Sequence, residues 1–97
     1  MSTPADFLEF VCEQIDFFDN VRYRKMFGEG MIYVNDKPVL LVCDSIVYVK
    51  EIPELAELMI NAERGIPYDG AREHYILDIE NHDLAKEAIT ILELATP

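Results

Sequence analysis

Asp78, Glu80 and His82 alternate in the stretch DIENHD (78–83). On one side of an extended chain, two carboxylates and an imidazole are donors suited to Zn²⁺, Mn²⁺ or Fe²⁺. Only one histidine takes part, however, and no fourth ligand stands out. The same residues suit a strand end that runs into a helix start, where acids favour the positive end of the helix dipole. That second arrangement is the expectation, so no metal and no cofactor is assigned. A second set is Cys12 with His74 and His82, a nucleophile with two candidate bases. Cys12 sits beside an apolar helical stripe with no local signature around it, and buried cysteines are mostly packing residues. No catalytic residue is assigned, and a non-enzymatic protein is expected.

The stretch RKMFGEGMIYV (24–34) places Gly28 and Gly30 one residue apart. Paired glycines can cradle a phosphate, but a dinucleotide loop follows a strand and opens a helix, whose N–H groups hold the anion. Here FGEG leads into MIYVNDKPVLLVC, which is β-branched and carries a hairpin signal. The third glycine of G-x-G-x-x-G is missing, and no Gly-Lys-Ser/Thr occurs. The two glycines are expected to supply backbone angles closed to residues with a Cβ, in a bulge or tight turn between two strands. At least one of them should have a positive φ.

Arg22, Arg24 and Lys25 cluster in a chain with only 8 basic residues against 19 acidic ones. On a strand, Arg22 and Arg24 share a face and could receive an acidic partner or a small anion. Charges on an edge strand also block unwanted pairing. The net charge of −11 disfavours direct nucleic-acid binding, which depends on cations that displace counterions from phosphates. A small-ligand domain, with a pocket near Arg24, Tyr33, Tyr48 and Tyr68, is the alternative to an interaction module, and a metal-dependent enzyme is the third reading. No apolar run reaches the roughly 18 residues of a membrane helix. The N-terminus MSTPADFLEF lacks the basic region of a signal peptide. Cys12 and Cys43 read as buried thiols in a reducing compartment, so a cytoplasmic protein is expected.

These residues must be positioned by one domain spanning residues 1–97. STPADFLEFVCEQIDFF (2–18) predicts a helix, capped by Ser2 or Thr3, with Pro4 in the first turn and Phe7, Val11, Ile15 and Phe18 as its apolar stripe. Strands are expected over 21–27, 31–34, 39–43 and 46–49, with hairpin turns at 35–37 and 44–45. PELAELMINAE (53–63) reads as a short helix, 64–73 as a loop and 74–79 as a fifth strand. A last helix starts at Asn81 or Asp83, with Leu84, Ala88, Ile91 or Leu92, and Ala95 on its face. The class is therefore α+β: a small antiparallel sheet of about five strands flanked by helices, in the order α-β-β-β-β-α-β-α. MIYV, VLLVC and IVYV contain no charge, whereas a sheet with one solvated face alternates apolar and polar residues. Both faces must then be covered, and a homodimer supplies the missing cover.

Arg24, Met26, Phe27, Gly28, Tyr33, Leu41, Asp44, Tyr48 and Lys50 stand in order within YRKMFGEGMIYVNDKPVLLVCDSIVYVK (23–50). Pro67, Tyr68, Gly70, Ala71 and Tyr75 follow in IPYDGAREHYILD (66–78). In these motifs the chain resembles the TfoX N-terminal domain family, also called TfoX/Sxy, over about residues 5–95. The resemblance implies an α+β domain similar to secretion-chaperone-like folds, which tend to dimerise. Met26, Phe27, Gly28 and Gly30 are set down as a structural motif, and the resemblance carries over no catalytic residue. Named members of that family regulate natural competence in bacteria and have a second, helical domain. The expectation here is a stand-alone first domain, acting as a homodimeric regulatory or protein-interaction module with an unidentified protein partner.

Overall fold

The computed structural model describes residues 4–26 and 28–97, apart from the side chain of Met26. Helix α1 is Ala5–Gln14, with Pro4 as its N-cap at φ −65°. The Pro4 carbonyl accepts from the amides of Phe7 and Leu8 at 3.1 and 3.4 Å, so proline opens the helix without needing the N–H it lacks. The expected caps, Ser2 and Thr3, lie outside the described residues, as does Phe27 of the glycine motif. α1 stops earlier than its apolar stripe suggests, because Ile15 leaves the helical region at φ −122°, ψ 25°. Ile15 is nevertheless fully buried: the apolar anchor outlasts the helix. A tight turn follows, with Phe18 N donating to Ile15 O at 3.1 Å.

Among the described residues six strands form one sheet, in the order β1-β2-β3-β4-β6-β5. They are β1 (Val21–Met26), β2 (Glu29–Val34), β3 (Lys37–Cys43), β4 (Ile46–Lys50), β5 (Arg64–Gly65) and β6 (His74–Ile76). Every neighbouring pair is antiparallel. Two of the hairpins close on pairs of left-handed residues, Asn35 (φ 51°) with Asp36 (φ 66°) and Asp44 (φ 50°) with Ser45 (φ 60°). Such primed turns match the right-handed twist of the strands they join, and asparagine and aspartate tolerate the conformation. Between β1 and β2, whose last register pair is Met26 with Glu29, Gly28 takes φ 80°. The positive φ expected of the glycine motif is therefore Gly28's.

The α+β class stands, with two refinements. The expected middle helix shrinks to a 3-10 helix, Pro53–Leu55, followed by turns. Leu55 and Met59 are its buried anchors, joined by one helical hydrogen bond of 2.9 Å from Met59 N to Leu55 O. A segment that needs only those two contacts gains little from completing a costly helix nucleus. The sixth strand, β5, lies in the expected 64–73 loop and pairs only with β6.

Helix α2, His82–Ala95, starts where Asn81 Oδ1 accepts from Leu84 N at 3.3 Å. It buries Ala85, Ala88, Ile89 and Leu92, the two alanines letting its axis lie close to the sheet. Its last turn is tied to the β2–β3 hairpin by Lys37 Nζ on the Glu93 carbonyl (2.9 Å) and Asn35 Nδ2 on the Glu93 carboxylate (3.0 Å). Ile32, Val34, Leu40, Val42, Val47, Val49 and Tyr75 face Leu8, Val11 and Ile15 of α1 and the apolar side of α2 in one core cluster. Both helices thus cover the same face of the sheet.

Candidate functional site

Side chains alternate along a strand, so the register defines what lies on the face opposite the helices. One row runs Arg24, Met31, Leu41, Tyr48, Ile76 across β1, β2, β3, β4 and β6. A second holds Arg22, Tyr33 and Pro38 on one side and Lys50, His74 and Gly65 on the other. A third, at the other end of the strands, holds Glu29, Cys43 and Ile46. Met31, Tyr33, Leu41 and Ile76 are half-buried, and Ile46 is exposed.

β3 and β4 pair only from Cys43–Ile46 to Leu41–Tyr48. Beyond that point the β2–β3 register shifts between Ile32 and Tyr33, leaving Val39 as the extra residue of a bulge. A bulge bends its strand and breaks the ladder locally. A cleft of about 400 Å³ lies there, lined by Glu29, Met31, Leu41, Tyr48, Lys50, Ile52, Tyr68 and His74, with Leu92 and Ala95 from the end of α2. Its middle is apolar and its ends are polar. Lys50 and His74 are register partners at one end. His74 Nδ1 donates to the Arg72 carbonyl at 2.8 Å, which leaves Nε2 as the available ring nitrogen. Arg72 lines an adjoining hollow together with Lys50, Tyr68 and His74. Tyr48 meets the His74 ring edge-on at 6.3 Å between centroids, and burial raises its phenol pKa. Glu29 stands at the opposite end, where its carboxylate accepts from the Cys43 thiol.

The six residues set down as binding candidates separate into two pairs and two single residues. Tyr48 and Tyr68 meet in the cleft. Arg22 lies over the Tyr33 ring at 5.2 Å and bonds Asp36 at 2.9 Å, so those two are engaged with each other outside the cleft. Arg24 opposes Met31 on the open face, whereas Lys25 opposes Gly30 on the helix side. Lys50 and His74 complete the cleft and were absent from that candidate set. The signal for Lys50 was its place just after IVYV, two residues beyond Tyr48 and so on the same strand face.

The other constellations are not assembled as chemical centres. β6 ends at Ile76, so Asp78, Glu80 and His82 do not share a strand face. Asp78 Oδ1 accepts from Glu80 N at 3.1 Å, and His82 Nε2 meets Gln14 Oε1 at 2.7 Å. Among the described residues no three His, Cys, Asp or Glu side chains gather as metal ligands. His74 lies on the sheet face opposite α1, which carries Cys12. Burial, then Glu9, raises the Cys12 pKa. Cys43 is pushed up to about 11 by burial first, and then by Glu29 and Asp44. Both thiols are free and stay protonated near neutrality. No helix among the described residues is long and apolar enough to cross a membrane.

No family model and no solved structure matches the chain. A protein of Spirochaeta aurantia, described as an uncharacterized 12.7 kDa protein in the trpE 5' region, is 35% identical over 88 residues. That alignment covers 91% of this chain and 73% of the relative.

Proposed function

We propose that this chain, which belongs to the same family as the Spirochaeta aurantia protein, is a non-enzymatic module that pairs with a second copy through the open face of its sheet. The carrying observation is the row Met31, Leu41, Tyr48, Ile76, which runs across four strands on the face turned away from the helical core cluster, with Met31, Leu41 and Ile76 partly exposed and Tyr48 already buried. A sheet face left to water carries polar residues at alternate positions; here they are apolar between Arg24 and Ile76. A chain of this size buries only about 60–65% of its unfolded surface, so cover from a second copy adds stability that its own core lacks. The resemblance to the TfoX N-terminal domain family supports a regulatory role. The net charge of −11 supports a protein partner over nucleic acid. Free Cys12 and Cys43 support a cytoplasmic setting.

Sedimentation equilibrium at micromolar concentration tests this. The expected mass is twice the 11.2 kDa of one chain. A single-chain mass that persists at high protein concentration overturns the proposal. A second reading, a small-ligand module, is favoured by one specific feature: Tyr48 and Tyr68 meet in a cleft of about 400 Å³.

A further inference from the structure

We propose that the cleft between the diverging ends of β3 and β4 is a binding site for a small organic monocarboxylate with an apolar body, its carboxylate on Lys50 beside the His74 ring. The volume of about 400 Å³ lies within the roughly 300–1,000 Å³ usual for small-molecule sites. Met31, Leu41 and Ile52 offer apolar contact, and Tyr48, only 6% exposed, presents a rigid aromatic wall.

Charge decides the ligand's head. The protein as a whole repels anions, carrying 19 acidic residues against 8 basic ones. At this end the cleft itself is lined by Lys50 and His74, while Glu29 stands at the other end. The adjoining hollow adds Arg72 together with Glu51 and Glu73. Of the acids nearest them, Glu51 is already paired with Arg64 at 3.4 Å. Glu73 lines the adjoining hollow but not the cleft itself. Among the described residues Lys50 has no ion-pair partner, so its ammonium is available to a carboxylate. His74 is held by its Nδ1–H bond to Arg72 O, which fixes the ring beside Lys50; with that proton on Nδ1 the neutral imidazole presents Nε2 as an acceptor, so Lys50 is the group that grips the carboxylate.

Charge also decides the ligand's other end. Glu29 lies in the row of Ile46, four residues along β4 from Lys50, or roughly 13 Å at about 3.3 Å per residue. A second carboxylate would be stranded on the apolar middle of the cleft or, in a longer diacid, meet Glu29, so the site selects a single negative charge and orients it. An aryl- or alkyl-substituted monocarboxylate satisfies all three constraints, whereas a dicarboxylate or a neutral amide satisfies only some of them.

The lining comes from one chain, so the site does not require a second copy, although Met31 and Leu41 also belong to the open face. The experiment therefore reads ligand binding and association separately. Backbone amide NMR shifts are followed while 3-phenylpropionate, its amide and pimelate are each titrated to millimolar concentration, with sedimentation measured on the same samples. The expected result is saturable shifts at Tyr48, Lys50, Ile52 and His74 with 3-phenylpropionate, and weak or no shifts with the amide and pimelate. Lys50→Met should weaken binding roughly tenfold, the scale of one charge-assisted hydrogen bond, while Lys86→Met on α2 leaves it unchanged. The proposal is overturned if no ligand shifts the cleft residues, if the amide or pimelate binds as well as the acid, or if Lys50→Met binds like the parent. A monomeric protein that still binds the acid would end the pairing proposal and leave this one standing.

Discussion

Leu8 of α1 rests on the backbone of Gly30 in β2. A Cβ at residue 30 would overlap Leu8 Cδ2 and come within 2.9 Å of Cδ1 and 3.1 Å of Cγ. Leu8 is fully buried, so its side chain has nowhere to retreat. Gly30 is therefore the seat of α1 on the sheet, and the paired glycines of residues 28–30 serve packing and turning. Gly30→Ala should cost about 1–3 kcal/mol through overpacking. At about 4–8 °C per kcal/mol for a domain of this size, thermal melts would resolve that loss. The specific check is a double-mutant cycle. In a Leu8→Ala background the added methyl meets empty space, so Gly30→Ala should cost much less there, or even stabilise. Equal costs in both backgrounds would show that the contact is not what constrains residue 30.

Gly28 does the other half of the motif's work. Its φ of 80° lies where a Cβ meets the neighbouring carbonyl. Gly28→Ala should lower stability by about 1–2 kcal/mol, and Gly28→Asn by less, because asparagine tolerates left-handed angles. Thermal melts with and without millimolar ATP or NAD separate this from phosphate binding. The parent's midpoint should not move with nucleotide; a nucleotide-dependent rise that Gly28→Ala abolishes would restore the phosphate reading.

The local chemistry of the chain was readable where single residues carry it. Asn35-Asp36 and Asp44-Ser45 turn because such residues accept positive φ, and Asn81 caps α2 with its own side chain. The uncharged runs in β2, β3 and β4 announced a sheet apolar on both faces. What sequence reading missed is nonlocal. Ile15 continues the helical stripe of α1 but serves as a buried anchor after the helix has ended. Arg64–Gly65 is too short to show alternation and becomes a strand only because β6 lies beside it. Lys50 and His74 are 24 positions apart and meet through the β4–β6 register, in a cleft where the Val39 bulge interrupts the ladder. None of those partners is encoded within a window of a few residues.

Cys43 sets a limit to stability at high pH. Burial, Glu29 and Asp44 hold its pKa up, from the ordinary 9.0 to about 11. Between those values the folded chain keeps a proton that the unfolded chain releases, so stability falls as pH rises. The contribution is intact below pH 9 and lost through pH 11. Tyr48, whose pKa is also raised, adds to the slope in the same direction. Urea midpoints from pH 8 to 11 should decline more steeply for the parent than for Cys43→Ala, which keeps only the Tyr48 part. Parallel slopes would mean that Cys43 is not held protonated. The same burial predicts slow labelling of Cys43 by a thiol reagent at pH 8 unless denaturant is added.

Self-association through the open sheet face should strengthen with salt, and this distinguishes it from pairing by ion pairs. Each chain carries a net charge of −11, so two copies repel at long range. The face itself is apolar between Arg24 and Ile76, and the Arg22–Asp36 ion pair beside it, at 2.9 Å, is internal to the chain. Raising ionic strength from about 0.01 M to about 0.15 M shortens the screening length from roughly 30 Å to 8 Å, which removes repulsion while leaving apolar contact intact. The dissociation constant should therefore fall across that range. A constant that rises with salt would mean that Arg22 or Arg24 reaches acids on the other copy. Met31→Glu tests the same face by mutation. It would place an unpaired carboxylate in the apolar row, weakening association by at least about 2 kcal/mol, or roughly thirtyfold. Thr90→Glu, an exposed change on α2 and so on the other side of the sheet, should leave association untouched. If instead Thr90→Glu breaks the dimer and Met31→Glu does not, the two copies meet through their helices, and the open sheet face must be kept for another partner.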